Sequence, residues 1–454
     1  MNGKVQFVWF SVASLLVTAV AIGVAYACGG YGHALSPAPP IAELRERGSE
    51  GLAEALKTYD ALVEANAPEK VLETWRDAID QIGGQRTCSV SRLYWHTDLE
   101  GAMLEAQRTG KPILSLRMLG KLTEEYSCAN SRFFRTTLYS NQEISDYLRE
   151  HYILHWQSVR PVPRVTIDFG DGRKLERTLT GNSAHYVLDS DGQPLDALPG
   201  LYSPQAFQAW LARLIDFHGE YYRAPVDQRR TLVTNFHRGQ REQVYRQWAS
   251  DLDRLGAEQV TLVNARIDEA VKRAREDGRN PAIAEAANRL AIAKRQAETP
   301  LLRFANSSGP WIQTGMDDDL WNAIANLRRD GVRLDEASRK VMRNEFPRAE
   351  EAGEVAVGKW VQEDPILKMV RQFEDSIALD TVRNEYLLHR QIHERFADGQ
   401  SESVDALNEW VYATLFLTPS SDPWLGLAPE GVYTALENGG LTSSRSDLAS
   451  RELE

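Results

Sequence analysis

The fold is decided by one stretch, Trp95-His-Thr-Asp-Leu-Glu-Gly-Ala-Met-Leu-Glu-Ala-Gln-Arg-Thr-Gly-Lys-Pro-Ile-Leu-Ser-Leu116. Leu99, Ala102, Met103 and Ala106 recur at helical spacing and would lie on one face. Thr97-x-x-Glu100 reads as a capping box, in which a hydroxyl and a carboxylate satisfy free amide donors at a helix start. Gly110 supplies the stop, and the mostly apolar run Pro112–Leu116 suits a buried parallel strand. A helix feeding a buried strand is the unit of an α/β domain.

The same grammar continues downstream. Cys128 follows a polar loop and would open a helix containing Phe133 and Phe134. Ser140-x-x-Glu143 reads as a second capping box, with Ile144, Tyr147 and Leu148 on the apolar face, and Tyr152–Trp156 as the next strand. Two alternating runs, Val165–Phe169 and Lys174–Leu179, flank Gly170-Asp171-Gly172 and predict a β-hairpin. His185–Asp191 is a strand running into a turn; Asp189-x-Asp191-Gly192 has too few ligands for a calcium loop. Ser203-Pro204 then caps a helix whose apolar face is Phe207, Trp210, Leu211 and Leu214.

The order of these pieces resembles exported thioredoxin-like proteins. The likeness rests on Trp95, Glu105-Ala106, Gly110-Lys111-Pro112, Cys128-Ala-Asn-Ser131, Asn141-Gln-Glu-Ile144 and His185–Gly192, and spans residues 86–218. It implies an α/β thioredoxin-like domain: a central mixed sheet with flanking helices, here with an inserted hairpin. It also implies that Cys128 stands where the family's nucleophilic cysteine stands, at a helix start that favours the thiolate. The family's second, resolving cysteine is replaced by Ser131. Such a site forms a mixed disulfide but needs an external thiol, or Cys88, to release it. Ser127 stands where the family has tryptophan, Ser115 near the place of a buried acid, and Asn182-Ser183-Ala184 where a cis-proline is expected. His185 follows that loop. It would either face Cys128 as an activating base or be a strand residue with a satisfied imidazole.

The flanks carry other signals. Val5–Ala27 is almost wholly apolar behind Lys4 and ends in Ala25-Tyr-Ala27. Three outcomes stay open: cleavage after Ala27, retention as a membrane anchor, or lipidation of Cys28. Each places the body outside the cytoplasm, in the periplasm or at the outer face of the membrane. Residues 28–40 read as a linker and 41–85 as two helices separated near Pro68. Residues 219–420 read as a helical region, with Pro365 opening one helix and Leu407–Leu417 strongly apolar; 421–454 read as a partly disordered tail. His389-x-x-x-His393, with Glu385 a turn earlier, has metal-ligand spacing but no evident third ligand, and reads as a partly exposed helix face.

A net charge of −12 with no long basic run argues against nucleic acid or an anionic lipid surface as partner. There is no phosphate-binding glycine loop and no Gly-x-Ser-x-Gly elbow, so no cofactor is expected. Of the three cysteines, Cys88 and Cys128 fall in one domain and are candidates for a bridge. The expectation is therefore an exported thioredoxin-like binding or scaffold module with a degenerate or monothiol site. Its partner would be another envelope protein, and residues 5–27 would contact membrane if uncleaved. The alternative is a thiol-disulfide oxidoreductase of the envelope using Cys128, Ser131 and His185.

Overall fold

The computed structural model describes residues 39–178, 181–256, 315–345, 365–400 and 402–422. The apolar stretch 5–27, the helical spacings at 260–274 and 283–297, and the tail beyond 422 lie outside the described residues. Among the described residues no helix is long and apolar enough to cross a membrane. The chain divides into two units, residues 1–82 and 83–454.

The first unit contains α1 (Ile41–Glu46), α2 (Gly48–Glu64) and α3 (Glu69–Gly83, whose last residue belongs to the second unit). The expected pair of helices is preceded by a short third one, because Gly48 turns the chain at φ 65°. Leu52, Ala55, Leu56 and Leu62 are buried on α2, and Trp75, Ala78, Ile79 and Ile82 on α3. Gly51 packs against the Leu44 backbone, and Arg45 donates to the Ile82 carbonyl at 2.7 Å.

The second unit is a mixed α/β structure. It opens with α4 (Cys88–Ser91) and α5 (Leu99–Thr109), then β1 (Ile113–Leu119), α6 (Ala129–Thr137), α7 (Gln142–His151) and β2 (Ile153–Arg160). The hairpin β3 (Arg164–Asp168) and β4 (Lys174–Thr178) follows, then β5 (Ser183–Leu188), β6 (Pro194–Pro199) and α8 (Pro204–Arg223). The sheet order is β2-β1-β5-β6, with β1 parallel to β2 and antiparallel to β5, and β5 antiparallel to β6. The hairpin forms its own two-stranded sheet, its turn made by Gly170 and Gly172 at positive φ. Every residue of β1, β5 and β6 is buried, as expected of strands covered on both faces.

Two capping assignments shift by one residue. The cap of α5 is Asp98, whose carboxylate accepts from the Gly101 amide at 2.6 Å, not Thr97. The cap of α7 is Asn141, accepting from the Ile144 amide, while Ser140 instead donates to the Arg135 carbonyl that ends the preceding helix. Ser203 and Pro204 begin α8 as expected, and Gly110 ends α5 in the left-handed region.

The later helices join the same hydrophobic core. They are α9 (Val226–Leu255), α10 (Gly315–Asn326), α11 (Glu336–Glu345), α12 (Pro365–Arg383), α13 (Arg390–Ala397) and α14 (Val404–Trp410). A π-helical turn, Asn384–His389, joins α12 to α13, and a second, Val411–Leu415, follows α14. One partly buried ion-pair network ties α9, the segment after α10 and the first π-helical turn together. Arg328 meets Asp251 at 2.6 Å and also Glu385, and the Tyr386 hydroxyl donates to Asp251 at 2.6 Å.

Candidate functional site

Cys128 is the N-cap residue of α6, directly after the loop that leaves β1. Its amide donates to the Leu119 carbonyl at 3.1 Å, which pins the loop end to the strand. Arg135, in the last turn of α6 and buried, donates to the carbonyls of Leu122 and Glu124 at 3.1 and 2.9 Å. The loop is thus held from the helix it feeds. These contacts put the Cys128 sulfur at a helix start, yet its side chain is 0% exposed. The Ser131 hydroxyl, on the next turn, lies 2.6 Å from Ser127 Oγ and 2.9 Å from the Cys128 carbonyl.

The His185 imidazole is engaged by a neighbour other than the thiol. Its Nε2 is 2.6 Å from the Tyr139 hydroxyl, and its ring lies among Phe134 and Phe207 with centroids 4.6 and 4.9 Å away. Burial pushes its pKa from 6.5 down to about 3, so the imidazole is neutral. His185 is thus a residue of β5 with its Nε2 hydrogen-bonded. No disulfide joins Cys88 to Cys128, so the candidate bridge is not formed. Cys88 lies on α4, its thiol 3.4 Å from the Leu93 carbonyl. Ser115 on β1 is 2.8 Å from His155 Nδ1.

The chain's own C-terminal helices occupy this end of the sheet. The buried guanidinium of Arg117 on β1 pairs with Asp405 at 2.7 Å, and Arg160 at the end of β2 donates to the carbonyls of Thr418, Pro419 and Asp422. Asn182, before β5, donates to Thr418 Oγ1 at 3.0 Å and accepts from the Tyr412 hydroxyl at 3.1 Å. Burial, then the neighbouring Cys128, pushes the Tyr412 phenol well above its ordinary value. Residues 404–422 therefore cover the sheet end beside the thiol. No family model, curated protein or solved structure matches the chain.

The expectation of a partly exposed face at His389 and His393 is corrected, because both imidazoles are buried where the helices meet β6. Glu385 does not join them; it turns away to Arg328. Two residues that the sequence reading passed over stand there instead, Asp196 on β6 and His237 on α9. A carboxylate inside the apolar run Pro194-Leu-Asp-Ala-Leu-Pro199 was the available signal for the first. Nothing local marked His237.

Proposed function

We propose that residues 86–218 are a thioredoxin-like module kept for binding, with a degenerate redox position at Cys128, in a protein exported to the cell envelope. The observation that carries this is the complete burial of the Cys128 side chain beside a segment, 404–422, of the same chain. Thiol-disulfide exchange needs a thiolate that reaches a disulfide sulfur, and a buried thiol reaches none. Ser131 supports the same reading, since no thiol stands three residues on to resolve a mixed disulfide. The parallel pair β1–β2, the antiparallel β5 and β6, the flanking helices and the separate hairpin agree with the architecture the resemblance implies.

The second reading, a thiol-disulfide oxidoreductase, is favoured by one observation. Cys128 occupies the N-cap of α6, the place that the resemblance assigns to a nucleophilic cysteine. It requires residues 404–422 to leave the sheet end. The two readings part in a turnover assay of full-length protein, in which dithiothreitol reduces a protein disulfide. Binding without turnover predicts equal rates with wild type and Cys128→Ser. A rate above background that Cys128→Ser abolishes would overturn it. The envelope location is tested separately by mass spectrometry of the N-terminus of the native protein. A chain starting after Ala27, an intact first segment in the membrane fraction, or a lipid on Cys28 would each support export; an intact soluble chain would oppose it.

A further inference from the structure

The cluster on β6 lies away from Cys128 and asks for its own explanation. Asp196, His389 and His393 are all buried, and one donor atom from each lies within 4.8 Å of the others. We propose that these three residues bind a single divalent transition-metal ion, zinc by the chemistry of the donor set, and so clamp the C-terminal helices to the sheet. This goes beyond the binding-module reading and does not depend on it.

The geometry supports an ion. Zinc binds imidazole and carboxylate at about 2.0–2.2 Å, so two donors at a tetrahedral angle stand about 3.3 Å apart. His389 Nε2 lies 3.1 and 3.3 Å from the two Asp196 oxygens. That contact now holds a proton, and a metal ion would replace it between the same two atoms. Two imidazoles among three donors disfavour calcium and magnesium, which take oxygen. Three protein donors leave the fourth position to water.

The surroundings orient each donor as metal sites require. The Trp210 indole N–H donates to Asp196 Oδ2 at 2.9 Å, and the Ala197 amide donates to Oδ1 at 2.7 Å. His237 Nε2 is 2.9 Å from the Leu195 carbonyl, which only accepts, so that nitrogen carries the proton. The imidazole tautomer with its proton on Nε2 presents a lone pair at Nδ1. His393 Nδ1, 2.9 Å away, must then be the donor. That places the lone pair of His393 on Nε2, the form of imidazole that ligates a metal. His393 Nε2 and His389 Nδ1 take part in none of these hydrogen bonds. The π-helical turn Asn384–His389 ends at the first histidine, and Asn384 at its start donates to the Leu201 carbonyl at 2.7 Å, just after β6. Such turns interrupt helices frequently at functional sites. Here it delivers His389 and, one helical turn on, His393 to the sheet.

The test uses full-length protein stripped with a chelator, dialysed, and titrated with Co²⁺ and then Zn²⁺. The expected result is one equivalent of cobalt giving the strong visible d–d bands of a tetrahedral site, without a thiolate-to-cobalt charge-transfer band, and displaced by zinc. His389→Ala and His393→Ala, shown to be folded by circular dichroism, should lose the bands. His237→Gln, which removes only the orienting partner, should weaken zinc binding about 10–100-fold. Folded wild type that binds no cobalt would overturn the proposal, leaving a closed hydrogen-bond chain around a His389–Asp196 pair. A thiolate band, or bands that survive in the folded histidine variants, would place the ion elsewhere and overturn it equally.

Discussion

Replacing His185 with glutamine should remove a measurable part of the acid sensitivity of the fold. The imidazole is neutral in the native state because burial pushes its pKa from 6.5 to about 3. Between those two values the unfolded chain takes up a proton that the folded chain refuses. Stability therefore falls as pH drops through 6.5 and levels off only near 3. Each pH unit inside that window is about 1.4 kcal/mol, so going from pH 7 to pH 5 costs about 2 kcal/mol for this one group. His155 adds a similar loss, since burial, then the Arg117 charge, lowers it to about 3 as well. The assay is equilibrium urea unfolding at pH 7 and pH 5 for wild type, His185→Gln and His155→Gln. What is read is the change between the two pH values, because the absolute stability of each variant also contains its lost packing. Each variant should lose about 2 kcal/mol less than wild type over that interval. Identical losses in wild type and His185→Gln would show that the imidazole titrates normally, and the sealed environment assigned to it would be wrong.

Further substitutions probe the packing around the sheet and the helices. Asp251→Ala leaves the largely buried Arg328 guanidinium with Glu385 and the Tyr386 hydroxyl and should cost about 3 kcal/mol in a urea melt, with much of the loss recovered by Arg328→Met on top of it. Gly200→Ala should cost about 1–3 kcal/mol, because φ is +94° and a Cβ there would run into the Asn384 side chain; Gly110→Ala, at φ 72° with open space around it, should cost less.

How much of this was legible depended on the range of the interactions. The core of α5 and β1 was readable because Leu99, Ala102, Met103, Ala106 and the apolar strand obey local periodicities. The caps slipped by one residue because Thr97 and Asp98, and likewise Ser140 and Asn141, are adjacent residues of similar capping ability, and only the chain's entry angle chooses between them. β1 runs to Leu119, past the expected Leu116, because Arg117 is tolerated inside it by Asp405, 288 residues away. The same reason hid the β6 cluster. His389 and His393 were visible as a pair, but Asp196 lies 193 residues from His389 and looked like one acid in an apolar strand. The burial of Cys128 was equally out of reach, since the sheet end near it is joined by Tyr412 and Thr418, which bond to Asn182 from the far end of the chain.

The accessibility of one sulfur decides between a binding module and a redox enzyme. Reduced full-length protein can be treated with iodoacetamide at neutral pH across a urea series, and modification of the Cys128 peptide followed by mass spectrometry. A buried thiol predicts no labelling in the folded protein and a labelled fraction that rises only with unfolding. Rapid labelling of Cys128 without urea, at the rate of an exposed thiol, would contradict it.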